Sequence, residues 1–360
     1  LKEASNIEGP VMVHVLTHKG AGYLPAERHP ARFHGTEPFD IETGLPSKPR
    51  VKANYTDIFS TVMRKLGDRD EKVVAITAAM TDGTGLKRFH NMFPGRFFDV
   101  GIAEEHAVTF AAGLAAAGLK PIFAVYSSFL QRAYDQILHD VCIQNLPVVF
   151  AIDRAGLVGS DGETHQGIFD ISYLSAIPNM TIMAPKNKWE LSDMIKYAVD
   201  FPTPIAVRYP RGEAYDGLKE YRQPISVGKS EWIYRESEIA LVALGSMVKT
   251  AEKVHAALRE EGIPASLINS RFAKPLDTQM LMEAASKHTL VVTMEENVIN
   301  GGFGEHITRF YNEQGIYVNV LNIAIPDEYV EHGNVDILYH EVGIDSDTIL
   351  KRIKEVYHPL

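Results

Sequence analysis

The sequence has little cysteine, no excess of positive charge and no long uninterrupted hydrophobic run. Its single cysteine, Cys142, excludes a disulfide within the chain and suits a reducing compartment without requiring a catalytic role. The formal net charge of −10 argues against a broad nucleic-acid interface, which needs a basic face, but leaves room for a local basic pocket. The longest apolar stretch, 108–126, is broken by Lys120 and Pro121, so we predict no membrane span.

The sequence also lacks the common patterns of metal binding and secretion. It has no cysteine-rich spacing and no His-Glu-x-x-His motif, so we assign no metal ligand from the residues alone. The first residues show no charged-then-apolar signal pattern. The glycines at 301–304 lack the full nucleotide-binding fingerprint and predict only a tight turn from a strand into a helix.

Apolar strands alternate with amphipathic helices from Tyr55 onward, which predicts the α/β class with two doubly wound units. Near the N-terminus, Val11 to Leu16 has the composition of a strand from a parallel sheet. In the first of the two units, 129–144 is predicted as one helix. Four parts are predicted along the chain. Residues 1–35 are a C-terminal remnant of a preceding domain, and residues 36–53 are a linker. A first α/β unit with a parallel sheet follows at 54–227, and a second α/β unit at 228–360.

Residues suited to chemistry follow the strands of the first predicted unit. Open parallel sheets bind ligands at the carboxyl ends of their strands, so these side chains should gather along one edge. The residues that the argument uses are Glu104, Tyr126, Phe129, Arg132, Arg154, Asp161, His165 and Arg211.

Each of these residues has an ordinary explanation when it is taken alone. Glu104 is then a carboxylate at a helix start, where it interacts with the helix dipole. His165 is a solvated turn histidine, or a proton relay if it lies in a cleft. Phe129 is then a core residue, and the alternative is that its ring stacks on an aromatic heterocycle. Each of the three arginines is then a surface ion-pair residue, and the alternative is that the three together bind a phosphate.

Taken together, the segments that carry these residues resemble the 1-deoxy-D-xylulose-5-phosphate synthases, which are transketolase-like thiamine diphosphate enzymes. The matching segments are 99–113, 126–136, 153–159, 160–167 and 207–212, and the resemblance runs through the chain. It implies a pyrimidine-binding unit followed by a transketolase C-terminal-like unit. The implied reaction condenses pyruvate with D-glyceraldehyde 3-phosphate, with loss of CO2, in the first step of the methylerythritol phosphate route to isoprenoids. The product also feeds thiamine and pyridoxal phosphate synthesis.

The resemblance also implies a role for each matched residue. Glu104 would activate the aminopyrimidine ring of thiamine diphosphate and Phe129 would stack on it. The other residues that it associates with the cofactor are Met80, Lys19 and Ile102. The residues implied to act on the pyruvate-derived group and its protons are His165, His34, Tyr126 and Asp161. The residues implied to hold the phosphate of the aldehyde are Arg132, Arg154 and Arg211.

One family feature is absent from this sequence. The family binds Mg2+ and the cofactor diphosphate at a Gly-Asp-Gly motif followed by an Asn, and neither Asp82-Gly83 nor Asp161-Gly162 matches it. The expectation is that the magnesium ligands lie on an N-terminal portion of the same enzyme, and that this chain alone is inactive. The other implied partner is a second copy in a homodimer, with neither nucleic acid nor a membrane involved. A bacterial cytoplasm is the expected location, with the plastid as the open alternative.

Two other functions stay open from the sequence. The β subunit of a 2-oxo acid dehydrogenase E1 pairs the same two units and also lacks the magnesium motif, although the leading residues 1–35 argue against it. A non-catalytic transketolase-like subunit is disfavoured because Glu104 and His165 are both present. The choice of acceptor, an aldehyde phosphate or a lipoyl domain, separates the two enzyme hypotheses.

Overall fold

The computed structural model describes residues 1–36, 38–47 and 51–358. Two compact units are present, Leu1–Lys52 and Ala53–Leu360. The smaller unit holds a short 3-10 helix, Ala4–Asn6, and helix α1, Leu24–Arg28. Its apolar centre is a set of aromatic rings, in which Phe33 lies 5.5 Å from Tyr23 and 5.1 Å from Phe39. Residues on both sides of position 35 therefore pack in this unit.

The strand predicted for Val11 to Leu16 is wrong. In the part of the chain that the structure describes, this segment joins no β-ladder, and Met12 is 93% exposed. Apolar β-branched composition favours a strand only where another segment pairs with its backbone groups. The smaller unit offers this segment no such partner among its described residues.

The larger unit contains a seven-stranded sheet in the order β10-β5-β6-β4-β3-β1-β2. All neighbouring strands are parallel except β10, which pairs antiparallel with β5. The bounds are β1 Val73–Thr77, β2 Phe97–Asp99, β3 Lys120–Tyr126, β4 Val149–Asp153, β5 Thr181–Met183, β6 Ile205–Arg208 and β10 Phe272–Lys274. Along β1 successive residues pack into two different apolar clusters, so both faces of the sheet are covered.

A second sheet of five strands has the order β12-β11-β8-β9-β7. Its strands are parallel apart from β7, which pairs antiparallel with β9. Their bounds are β7 Glu231–Tyr234, β8 Glu238–Ala243, β9 Ala265–Asn269, β11 His288–Val298 and β12 Asn319–Ile325. The predicted α/β class with two doubly wound arrangements is therefore confirmed, while the domain boundaries at 54–227 and 228–360 stay predictions.

Helices cover the faces of both sheets, as the apolar spacing of their sequences requires. Helix α2 shows the pattern, because a capping box of Asn54 and Asp57 begins it and Phe59, Met63 and Leu66 are buried along one face. The bounds are α2 Tyr55–Arg69, α3 Lys87–Met92, α4 Glu104–Ala116, α5 Ser127–Leu130, α6 Tyr134–Gln136, α7 Asp170–Ser175 and α8 Lys188–Val199. Those of the second part are α9 Met247–Glu260, α10 Thr278–Lys287, α11 Phe303–Glu313, α12 Val335–Glu341 and α13 Ser346–Val356.

The segment predicted as one helix, 129–144, is helical without a break over 127–142, but its winding changes along the segment. The segment is divided into α5, a 3-10 turn at Gln131–Ala133, α6 and a π-helix at Ile137–Cys142. Apolar periodicity indicates a helical segment but cannot resolve changes in its winding. Among the described residues, none of the helices has both the length and the hydropathy that a membrane span requires.

Candidate functional site

The candidate site lies at the carboxyl ends of β6, β4, β3, β1 and β2, which are consecutive neighbours in the first sheet. The polar residues predicted from the sequence follow these strands, so parallel pairing brings them to one edge. Met80 follows β1 and is buried in the core, whereas the side chain of Ile102, between β2 and α4, is 82% exposed.

Glu104 is the first residue of α4 and is only 1% exposed. Its Oε1 accepts a hydrogen bond of 2.9 Å from Nη1 of Arg132. Its Oε2 is buried and has no hydrogen-bond partner among the described residues. A buried carboxylate oxygen without a donor is costly, so this atom is suited to accept a hydrogen bond from a ligand.

Three aromatic rings and two guanidinium groups pack against one another beside this carboxyl group. The half-buried ring of Phe129 lies 5.3 Å from the ring of His165 and 5.5 Å from that of Tyr126. The guanidinium carbon of Arg132 lies 5.0 Å from the centre of the Phe129 ring, and that of Arg154 lies 3.8 Å from the Tyr126 ring. Cation–π contacts of this kind orient the arginines while leaving donors free.

Asp161 draws two arginines together from different strands. Its Oδ2 lies 3.2 Å from Nη1 of Arg154 and 2.8 Å from Nη1 of Arg211. Two guanidinium groups that converge on one carboxylate form a position where a ligand anion can also bind. The structure thus groups Arg154 with Arg211 and pairs Arg132 with Glu104, so the assignment of all three to one phosphate stays a prediction.

Lys19 and His34 belong to the unit formed by residues 1–52. Within it, Nζ of Lys19 lies 2.8 Å from Nδ1 of His34. Their expected contacts with cofactor and substrate stay predictions.

Burial raises the pKa of two side chains close to the arginines. It raises the pKa of Asp153, the last residue of β4, to about 6. The carboxyl group accepts 2.7 Å and 2.8 Å hydrogen bonds from the Arg154 backbone N–H and the Thr56 hydroxyl group. Burial also raises the pKa of Tyr126, which keeps its hydroxyl group protonated and able to donate.

The prediction from sequence missed Asp99, the last residue of β2. Its Oδ1 accepts hydrogen bonds from the backbone N–H of Ala79 at 2.8 Å and of Gly101 at 3.0 Å. Its Oδ2 accepts a 2.8 Å hydrogen bond from the Thr81 hydroxyl group. Asp99 therefore ties the segment beside Met80 to the one that leads into Glu104. Its place at the end of a strand was the signal that could have identified it.

The chemistry of the remaining candidates is limited. In residues 1–36, 38–47 and 51–358, no three His, Cys, Asp or Glu side chains are close enough together to hold a metal ion. Cys142 is buried, and burial raises the pKa of its thiol to about 12, so it is a poor nucleophile at neutral pH.

Two family models match most of the chain. The transketolase pyrimidine-binding domain matches residues 51–216, and the transketolase C-terminal domain matches residues 228–349. The 1-deoxy-D-xylulose-5-phosphate synthase of Lachnoclostridium phytofermentans is 56% identical over 356 residues, which cover 98% of this chain and 57% of that protein. The enzyme of the same name from Caldanaerobacter subterraneus is 50% identical over 360 residues, covering 99% and 58% respectively.

A solved structure described as a split gene transketolase, inactive beta4 tetramer, is similar with a TM-score of 0.75 and 25% identity. The match covers 85% of this chain and 98% of that one. This chain therefore spans somewhat more than half the length of the relatives that it matches in sequence and nearly all of one structural relative. The chain belongs to the transketolase family, and the relatives that it matches in sequence are named 1-deoxy-D-xylulose-5-phosphate synthase.

Proposed function

We propose that this chain forms the pyrimidine-binding and C-terminal parts of a thiamine diphosphate-dependent 1-deoxy-D-xylulose-5-phosphate synthase. The complete enzyme would condense pyruvate with D-glyceraldehyde 3-phosphate and release CO2, as the first step towards isoprenoid precursors. The observation that carries the proposal is the carboxyl group of Glu104, which is buried, held by Arg132 and has one oxygen without a partner in the part of the chain that the structure describes.

The residues at the site fit thiamine diphosphate. The unpaired Oε2 of Glu104 can accept a hydrogen bond from a ring nitrogen of the aminopyrimidine, and the Phe129 ring offers an aromatic face beside it. Met80 and Ile102 are the further candidates for apolar contact. When bound, the cofactor supplies a nucleophilic thiazolium carbon that stabilises the charge left by decarboxylation.

The side chains around this position would have three further roles: orienting Glu104, transferring protons and binding the phosphate. The hydrogen bond from Arg132 fixes the orientation of the Glu104 carboxyl group, so its free oxygen faces one direction. His165 lies against Phe129 and carries ring nitrogens that can accept or donate a proton, and Tyr126 offers a hydroxyl donor. Arg154 and Arg211 would bind the phosphate of the aldehyde by charge-assisted hydrogen bonds, with Asp161 bringing the two guanidinium groups together.

The complete enzyme, in this proposal, needs more than the present chain. Its relatives are longer, and the resemblance assigns the Mg2+ ligands to the N-terminal portion. It also implies that Lys19 and His34 reach the cofactor and the substrate from that preceding domain. The similarity to a split transketolase described as an inactive beta4 tetramer supports the proposal that this chain alone does not turn over. We also propose that the active form is a homodimer in the bacterial cytoplasm, with no nucleic-acid or membrane partner.

The test is the substitution Glu104→Ala in the full-length protein, with release of CO2 and formation of the sugar phosphate measured together. We expect the rate to fall by at least about 100-fold, because a positioned acid–base group contributes that much. The matched control is Glu105→Ala, which removes the exposed neighbouring carboxylate and should leave the rate within about threefold.

Near-normal turnover of the Glu104 variant would remove this residue from its role. Transfer from pyruvate to a lipoyl domain, without reaction of the aldehyde phosphate in the unsubstituted protein, would instead identify a 2-oxo acid dehydrogenase component.

A further inference from the structure

The loop that carries Asp161 and His165 is closed at its base by two hydrogen bonds. Gly156 N–H donates to the Gly167 carbonyl at 2.6 Å, and Gly167 N–H donates to the Gly156 carbonyl at 2.8 Å. We refer to residues 156–167 as the 156–167 loop. Closure at the base fixes where the loop leaves the sheet, but it does not by itself fix the residues in between.

The second sheet and the segment after β12 supply further hydrogen bonds to this loop. The Leu157 N–H donates a 2.7 Å hydrogen bond to Oε1 of Glu296, which lies on β11. At the other end of the loop, Nε2 of Gln166 donates to the Glu331 carbonyl at 3.1 Å. Between them, the Gly333 N–H donates to the Gly159 carbonyl at 3.3 Å. A loop of the first sheet thus takes its conformation from residues much later in the sequence.

Glu296 is the buried member of this set. It is 1% exposed, and its Oε2 accepts a 2.5 Å hydrogen bond from the hydroxyl group of Ser246. The backbone of the loop comes so close that a Cβ added at Gly156 would collide with the carboxyl group of Glu296. Gly156 also has a φ of 87°, a left-handed conformation that favours glycine. Loop and carboxylate therefore fit together only with glycine at this position.

The main chain of Glu296 is also connected to α7 by hydrogen bonds through Arg208. The guanidinium Nη2 of Arg208 donates to the Glu296 carbonyl at 3.1 Å and to Oδ1 of Asp170 at 3.2 Å. Asp170 is the first residue of α7, which begins shortly after the loop ends. The main chain of Glu296 therefore anchors the start of α7 through Arg208, while its side chain anchors the start of the loop.

We propose that Glu296 is a positioning residue of the active site, which acts by holding the 156–167 loop through the Leu157 N–H. The loop so held keeps His165 against Phe129 and Asp161 between Arg154 and Arg211. The inference rests on the proposed function to the extent that these loop residues act on the substrate.

Three substitutions in the full-length protein test the role of Glu296. Glu296→Ala removes the acceptor of the Leu157 N–H. Glu296→Gln keeps an acceptor oxygen for Leu157, because the Ser246 hydroxyl group can accept from the new amide. Ser246→Ala is the matched control, since it removes a hydrogen bond to the same carboxylate without touching the loop.

The measurements are amide hydrogen exchange at Leu157 without substrate, and the KM for D-glyceraldehyde 3-phosphate. For Glu296→Ala we expect exchange at least about tenfold faster and a KM at least about tenfold higher, which corresponds to the loss of one buried hydrogen bond. Glu296→Gln should restore both to within about threefold of the unsubstituted protein, and Ser246→Ala should leave both within that range. A merely structural role would lower the unfolding temperature without this rescue.

Unchanged exchange at Leu157 in the folded Glu296→Ala protein would overturn the inference, as would equal losses in the Ala and Gln variants. If Glu296→Ala does not fold, Glu296→Asp replaces it, because a side chain shorter by one methylene withdraws the acceptor while keeping the charge. If the unsubstituted full-length protein fails to condense the two substrates, the proposed function fails, while the exchange measurement still decides whether Glu296 holds the loop.

Discussion

At the scale of single residues, the arginines differ in what they already contact. Arg211 is one-third exposed and shares the carboxylate of Asp161 with Arg154, whereas Arg132 donates to the buried Glu104. A guanidinium group paired with an accessible carboxylate can exchange that partner for a phosphate at little cost. Arg211 is therefore better placed than Arg132 to bind an incoming phosphate.

We predict that Arg211→Ala raises the KM for D-glyceraldehyde 3-phosphate by at least about tenfold, because one charge-assisted hydrogen bond to the phosphate is lost. The KM for pyruvate, which carries no phosphate, should change by less than about threefold. Steady-state kinetics of the full-length protein with each substrate varied in turn provide the measurement. Arg222→Ala, at an exposed arginine paired with Asp193, is the control and should leave both constants unchanged. Equal effects of Arg211→Ala on the two substrates would contradict the phosphate assignment.

The sequence located the site residues better than it located their partners. The strand ends predicted that Tyr126, Phe129, Arg154, Asp161 and His165 share one edge of a sheet, and the structure brings them together. The hydrogen bond between Arg132 and Glu104 could not be predicted, because a complete helix and a complete strand separate the two residues in the sequence. Side-chain direction depends on packing across such separations, and apolar periodicity carries no information about it.

At the scale of elements, two short edge strands, β7 and β10, were not predicted from the sequence. β10 has three residues and β7 has four, and each pairs antiparallel at the edge of its sheet. Their position depends on the partner strand, so their own composition contains little signal. β10 adds a strand from the second half of the chain to the first sheet. Long apolar strands such as β3 and β8 are predictable from the sequence because burial on both faces requires a continuous apolar run.

A buried ionic cluster lies beside the start of β10. Nε of Arg271 donates to Oε1 of Glu190 on α8 at 2.8 Å, and its Nη2 lies 3.0 Å from Oε1 of Glu231 on β7. The ammonium group of Lys186 lies 3.0 Å from Glu190 and 2.6 Å from Glu231. All four side chains are almost completely buried, so each charge depends on the others for compensation.

We predict that Arg271→Ala lowers the free energy of unfolding by about 3–5 kcal/mol, because it leaves two buried carboxylates with one lysine between them. Urea denaturation of the 360-residue chain gives the measurement. Arg235→Ala removes an exposed ion pair with Glu283 and should cost less than about 1 kcal/mol. A loss of similar size in both variants would show that the buried cluster contributes no more than a surface pair.

At the scale of the whole molecule, stability should depend on buried carboxyl groups that are kept protonated. Glu295 on β11 is fully buried, and burial raises its pKa to about 8 although the N–H groups of Phe303 and Gly304 donate to it. An unfolded glutamate ionises near pH 4.5, so the folded state binds more protons than the unfolded state between that pH and about 8. The stabilisation is therefore complete below about pH 4.5 and is lost as the pH rises through 8.

We predict that the unfolding free energy of the chain falls with rising pH across this window, with a contribution from Glu295 of up to about 1.4 kcal/mol per pH unit. Glu295→Gln keeps one acceptor oxygen for the backbone N–H groups of Phe303 and Gly304 and cannot ionise, so it should flatten that part of the profile and lose less stability between pH 5 and 8 than the unsubstituted protein. Urea denaturation at several pH values between 5 and 8 gives the slopes, and the exposed Glu313→Gln is the control that should leave the profile unchanged. An identical slope in the Glu295→Gln protein would mean that Glu295 is already ionised in the folded state, and that the N–H groups at the start of α11 offset its burial.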